Sequence, residues 1–269
     1  MTANYYGIAL LEGISTLEYD TMGRTAFFWS AYNGNTTCLK AIAEHAKKEG
    51  KLTELVNKGD NKGRTPLYIA SFCGHVEVIN FLTEQGKNNL LIDAATNENH
   101  TVPGFTPLIA ACQEGQQLAV QVLINVGADV RVQDKEGGDC AYMAAIGNHV
   151  NVLKEVLPQH PDLVGRRLYA SRTILHAASI HGSLQAVEYI LPNGGLDIID
   201  EEDTRGFTAL ELAAYFGSLP VVNALVKNHA NIQHSANGKT ARQWAEDQGH
   251  AEIVKYLENL CPQKDKTQD

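Results

Sequence analysis

Ten histidines and five cysteines are the side chains of this 269-residue chain best suited to hold a metal or to act as acid, base or nucleophile. A zinc site needs Cys and His at short, bracketed spacings, and a metalloprotease needs two His one helical turn apart around a Glu. Neither pattern is present. His45, His100, His160, His181, His229 and His234 are scattered, and Cys38, Cys73, Cys112, Cys140 and Cys261 form no C-x-x-C pair. No Gly-x-Ser-x-Gly elbow, phosphate-binding loop or dinucleotide fingerprint occurs. The acidic run Glu201-Glu202-Asp203 could face a cation, but successive like charges without bracketing ligands supply no coordination geometry, so a solvated hairpin is expected. These patterns assign no catalytic residue, no metal site and no cofactor. The remaining histidines, His75, His149, His176 and His250, recur at fixed places in a larger pattern, and that pattern must be read first.

Composition allows a packed core: 44% of residues are hydrophobic and 20% charged. The formal charge of −9 argues against a surface built to neutralise phosphates, so nucleic acid is not expected as a partner. No apolar run approaches the roughly 20 residues that span a bilayer. The stretch Ile8-Ala9-Leu10-Leu11 follows no basic segment, so no secretory signal is expected either. An odd number of widely spaced cysteines points to reduced packing residues and a cytoplasmic protein.

Aligned on Thr25, Thr65, Thr106, Asp139, Thr173, Thr208 and Thr240, the chain repeats at intervals of 32 to 41 residues, a length typical of a two-helix unit. Turn formers such as Asp60-Asn-Lys-Gly63 and Thr204-Arg-Gly206 precede most anchors. Five residues past the anchors stand Ser30, Ala70, Ala111, Ala144, Ala178, Ala213 and Ala245, small enough for close helix approach. Nine residues past them stand Gly34, Gly74, Gly115, Asn148, Gly182, Gly217 and Gly249, where a left-handed residue would stop the first helix. Apolar pairs then mark the buried stripe of a second helix, as at Val78-Ile79 with Leu82 and Val221-Val222 with Leu225. A pair of short helices cannot bury its apolar faces alone, whereas stacked units share a continuous core. His75, His149 and His250 fall in the turn after the glycine position, and His176 near a helix start, which makes them capping or loop-ordering residues.

The strings Gly63-Arg-Thr-Pro-Leu-Tyr-Ile-Ala70 with Gly74-His-Val-Glu-Val-Ile79, Gly104-Phe-Thr-Pro-Leu-Ile-Ala-Ala111, Thr173-Ile-Leu-His-Ala-Ala178 and Asn125-Val-Gly-Ala-Asp-Val130 closely resemble the ankyrin repeat. The resemblance implies an all-α ankyrin-repeat solenoid of helix-turn-helix units with β-turn or hairpin tips. It divides the chain into an N-terminal capping segment 1–18, a repeat domain 19–260 and a polar tail 261–269. Repeats are expected near 20–59, 60–100, 101–133, 134–167, 168–202, 203–234 and 235–260. The first unit has Ala26-Phe27 where Pro-Leu is usual, the fourth has Asp139-Cys140-Ala141, and the last has Ala241, Arg242 and Gln243, polar changes that suit a solvent-facing cap. Two insertions, 41–56 and 87–102, lengthen the first and second intervals.

Ankyrin repeats dock partners on a concave side made of the turn tips and the exposed ends of the first helices. Carried onto this chain, those slots hold Met22, Arg24, Tyr32, Arg64, Phe72, Phe105, Ile146, Arg172, Ile180, His181, Arg205, Phe207, Tyr215 and Phe216. Exposed aromatics interleaved with Arg have the composition of interface hot spots. A tip Arg can equally order its own turn, and an aromatic at a helix end can pack on the next unit. The resemblance therefore implies a non-enzymatic interaction module, monomeric alone, working as adaptor, scaffold or inhibitor on a protein with an acidic, apolar segment. Two other readings stand beside it: an effector delivered into a host cytosol, and an enzyme or small-ligand binder built on the 87–102 insertion. Membrane insertion is not expected.

Overall fold

The anchor threonines are helix N-caps. In the computed structural model, which describes residues 15–86, 89–97, 101 and 104–260, the Thr25, Thr65 and Thr106 hydroxyls accept hydrogen bonds from the Phe28, Tyr68 and Ile109 N–H groups at 3.2, 3.1 and 3.2 Å. Each satisfies a backbone donor that the first helical turn leaves unpaired. Most of the expected N-terminal cap, parts of the 87–102 insertion, Cys261 and the rest of the tail lie outside the described residues.

The chain divides into two compact units, Met1–Cys140 and Ala141–Asp269. In the first, the helices are α1 (Ala26–Tyr32), α2 (Thr36–Lys48), α3 (Leu52–Asn57), α4 (Pro66–Cys73), α5 (Val76–Gly86), α6 (Pro107–Gln113) and α7 (Gln117–Asn125). Helices α1, α4 and α6 pack side by side in one row, and α2, α5 and α7 in another. The small residues Ser30, Ala70 and Ala111 are buried within the first row, and Leu39, Ile79, Leu82 and Leu123 in the stripe of the second. Burying each such aliphatic side chain contributes about 1.5–3 kcal/mol. Gly74 ends α4 with φ +74°, a left-handed turn that favours glycine, and a Cβ there would displace the end of the Gln116 side chain.

The 41–56 insertion prolongs α2 and adds α3, whose Leu55 and Val56 are buried where α3 meets α2, α4 and α5. The described part of the second insertion is loop: Asn57 accepts from the Leu91 N–H at 2.9 Å and donates to the Asn89 carbonyl at 2.6 Å.

One expectation about the cysteines fails. Cys112, in α6, is disulfide-bonded to Cys140, the last residue of this unit, with Cα atoms 5.4 Å apart. Both are fully buried, so the packing role holds, but they are not free thiols; Cys38 and Cys73 are. The reason is one of position. Cys140 occupies the slot where two other units carry a helix-starting Pro, and this slot faces the last turn of the preceding first helix.

Helix α8 (Cys140–Ile146) leads into the second unit, which continues with α9 (Val150–Val156), α10 (Ile174–Ile180), α11 (Leu184–Ile190), α12 (Ala209–Tyr215), α13 (Leu219–Lys227), α14 (Ala241–Asp247) and α15 (Ala251–Leu260). The same two rows recur: α10, α12 and α14 in one, α9, α11, α13 and α15 in the other. A two-residue hairpin, β1 (Ser235–Ala236) with β2 (Lys239–Thr240), forms the tip before α14. Asn148 takes the helix-stop slot with φ +59°, and its side chain explains why it replaces glycine. Its Oδ1 accepts from the Ala186 N–H at 2.9 Å, and its Nδ2 donates to Gln185, so the turn is bonded to the start of α11.

Candidate functional site

The tips are built around an aspartate five residues before the N-cap. Asp20, Asp60 and Asp203 accept from the backbone N–H groups two and four residues on, at 2.8 to 3.1 Å, and each donates its own N–H across the tip. Their second carboxylate oxygens receive the guanidinium Nε of Arg24 at 2.9 Å, Arg64 at 2.8 Å and Arg172 at 3.3 Å. Burial alone would raise the Asp20 pKa, but the bonds from Arg24, Met22 and Trp29 hold it at about 2. Three of the four tip arginines are thus neutralised internally, Arg24 and Arg64 within their own turns and Arg172 by the next one, which leaves less positive charge for a partner. Arg205 is exposed, and among the described residues its guanidinium has no such partner.

In the first unit, Met22 and Tyr32 are exposed, and Tyr32 packs edge-on against Trp29, with ring centroids 5.5 Å apart. The Arg24 guanidinium lies 4.3 Å over the Trp29 ring, whose N–H donates to Asp20 at 3.3 Å. Arg64 and Phe72 line a cavity of about 250 Å³. Phe105, expected at an exposed tip, is only 3% exposed and forms part of that cavity's wall. Its burial follows from the Thr96 pairing: Thr96 Oγ1 accepts from the Phe105 N–H at 3.0 Å, and the Phe105 carbonyl accepts from the Thr96 N–H at 2.9 Å, drawing the residue into a closed loop. Thr101 brings the second insertion to the same cavity.

In the second unit, Arg172, Arg205, Phe207, Tyr215 and Phe216 meet around a cavity of about 470 Å³. Ile146, Ile180 and His181 do not line it: both isoleucines are half-buried and His181 is exposed at the end of α10. The wall also contains Trp244, which the reading of slots missed. Its ring stands 5.1 Å from Phe207 and 5.8 Å from Tyr215. A signal was available, because the chain's two tryptophans, Trp29 and Trp244, occupy the same slot four residues past the anchor.

Histidines hold this architecture in place. Facing carbonyls, His75 Nε2 donates to Tyr32 at 2.9 Å and His250 Nε2 to Tyr215 at 3.1 Å, each fixing the end of a first helix. His176 is fully buried. It accepts from the Thr173 N–H at 3.1 Å through Nδ1 and donates from Nε2 to the Phe207 carbonyl at 3.1 Å, so it caps α10 and pins the Phe207 tip. Burial lowers its pKa from 6.5 to about 4. A depressed histidine pKa gives stability that is complete above 6.5 and is lost as pH falls towards 4. Going from pH 7.5 to 4.5 should therefore cost about 2.5 kcal/mol through this one residue. Urea midpoints of the native chain and of His176→Gln at the two pH values check this, and equal pH dependence in both would refute it.

The acidic run is not a solvated hairpin throughout. Glu201 pairs with Arg167, Glu202 with His234 at 3.0 Å, and Asp203 is buried in its tip. His234 also meets the buried Glu211 at 3.0 Å. Burial would lower the His234 pKa, but bonds to Glu202 and Glu211 outweigh it and raise the pKa. Among the described residues no cluster of three or more His, Cys, Asp or Glu could hold a metal ion, and no helix is long and apolar enough to cross a membrane.

Paired short helices with bonded tips, aromatic cavities beside those tips and N-cap threonines define a helical repeat protein that presents side chains from successive tips. The family model for ankyrin repeats matches residues 6–93, 88–167, 142–236 and 175–268, and the chain belongs to the ankyrin repeat family, with the all-α solenoid fold of that family. It is 29% identical over 197 residues, 72% of this chain, to the ankyrin repeat and KH domain-containing protein mask-1 of Caenorhabditis elegans, and 25% identical over 223 residues, 82% of this chain, to the ankyrin repeat protein nuc-2 of Neurospora crassa. A shorter match, 34% identical over 117 residues and 43% of this chain, is to diacylglycerol kinase zeta of Rattus norvegicus. The matches span 7%, 19% and 12% of these relatives' own lengths. Ankyrin repeats are generally protein-interaction modules.

Proposed function

We propose that the chain captures a segment of another protein on its tips and first-helix ends, acting as an adaptor, scaffold or inhibitor. The observation that carries this reading is the placement of Tyr32, Phe72 and Phe216. Each is an exposed aromatic at the end of a first helix, outside the core that holds its unit together. Such side chains bring large contact area at low entropic cost, and interface hot spots are enriched in them. A largely preformed surface also limits the ordering cost of binding.

The test replaces Phe72, Tyr215 and Phe216 together with Ser. Helical circular dichroism should be retained, while proteins retained on the immobilised native chain should be lost, with about a 30-fold or greater fall in affinity for a purified partner. Retention of the same proteins at the same levels by the folded variant would remove the proposal.

A further inference from the structure

The cavity of the second unit has an unmet demand for a hydrogen-bond acceptor. The Trp244 indole N–H is buried and has no hydrogen-bond partner among the described residues. In the first unit the equivalent Trp29 N–H is satisfied by Asp20, the tip aspartate five residues before the N-cap. The corresponding position before Thr240 is Ser235, so the last repeat lacks the carboxylate that its tryptophan would use. At the same cavity Arg205 extends an exposed guanidinium, while Arg172 is paired with Asp203; Lys239, which is outside the cavity lining and lies 5.1 Å over the Trp244 ring, is paired with Asp247 at 2.5 Å. The unpaired charge is positive and the unpaired buried group is a donor. Around them stand Phe207, Tyr215, Phe216 and Trp244, with Tyr215 and Phe216 in edge contact at 5.1 Å.

We infer that this cavity receives an aromatic or large aliphatic side chain of a partner protein together with an adjoining Asp or Glu carboxylate, which bridges Arg205 and the Trp244 N–H. The inference rests on the docking reading and names the chemistry one part of that surface selects. The apolar body fills the aromatic cavity, and the carboxylate takes the role that Asp20 plays for Trp29. A charge-assisted bond to a guanidinium is among the stronger polar contacts available at an interface. Reaching the covered indole requires a side-chain shift at the rim, a change common on binding.

The probe is 3-phenylpropionate, titrated into the ¹⁵N-labelled full chain, with the two indole N–H signals as reporters. The Trp244 signal should shift and saturate with a Kd of the order of 1 mM, while the Trp29 signal, already bonded to Asp20, stays in place. Neutral 3-phenylpropanamide and cationic 3-phenylpropylammonium should bind about tenfold more weakly, as should the acid to Arg205→Gln. Ser235→Asp, which restores the tip carboxylate, should move the Trp244 signal by itself and weaken the acid. Equal or tighter binding of the ammonium, or no Trp244 shift, would overturn the inference. A null titration alongside lost capture by the triple Ser variant overturns this inference alone. Carboxylate binding alongside unchanged capture overturns the docking reading while showing the pocket's preference.

Discussion

Glu211→Ala should destabilise the second unit by about 3 kcal/mol, among the largest losses available to a single side chain here. Glu211 is 1% exposed, and its carboxylate accepts from the Thr208 N–H at 2.9 Å, the Ala236 N–H at 2.7 Å and His234 at 3.0 Å. Truncation removes one carboxylate but strands four donors, the Thr208 hydroxyl, His234 and two buried backbone groups, and the cost of leaving such groups unpaired exceeds the worth of any one bond. The control is Glu211→Gln. In the last repeat Gln243 fills the same slot, three residues past the anchor, and its Oε1 accepts from the Thr240 N–H at 2.9 Å, so an amide can make the capping box. Gln should therefore recover only the capping part of the loss, because its NH2 must take the place of the oxygen that accepts from the Ala236 N–H, and it removes the anion that helps raise the His234 pKa. Urea unfolding of the three proteins and a histidine NMR titration measure both effects. A loss under 1 kcal/mol for the alanine variant would contradict the role assigned to Glu211.

The second large effect is covalent. The Cys112–Cys140 bond closes a loop of 28 residues in sequence. By the chain-entropy relation, closing such a loop removes enough freedom from the unfolded chain to stabilise the folded one by about 3.5 kcal/mol. Reduction with a phosphine, or Cys112→Ala with Cys140→Ala, should lower the urea midpoint of the first unit accordingly, with the double variant insensitive to reductant. Peptide mapping without reduction should recover Cys112 and Cys140 in one linked species and Cys38 as a free thiol. Alkylation of Cys112 and Cys140 in the oxidised chain would show that the bond does not form.

The slot three residues past the anchor shows where repeat reading succeeds and where it stops. His176, Glu211 and Gln243 share it, and all three side chains cap the helix they begin. Alignment identified the slot, and it correctly made His176 a capping residue. It did not reveal that Glu211 also reaches His234 and Ala236, because those contacts join residues 23 and 25 positions away. The tip arginines teach the same lesson. Arg24 and Arg64 lie four residues from the aspartates that neutralise them, a local pairing that the turn makes available. Arg172 finds Asp203 in the next tip, while Arg205 is left exposed, a difference that slot identity does not carry.

The sequence by itself determined the family, the two-helix unit, the N-cap threonines, the left-handed stops and the buried stripes. Each of these arises from interactions within a few residues or from a periodicity that every unit repeats. Tertiary structure alone decided that Cys112 and Cys140 are bonded, that Phe105 is buried and that Trp244 joins Phe207, Tyr215 and Phe216 around one cavity. These depend on how one repeat lies against the next, where a fraction of an ångström separates a packed ring from an exposed one and a bonded sulfur pair from two thiols.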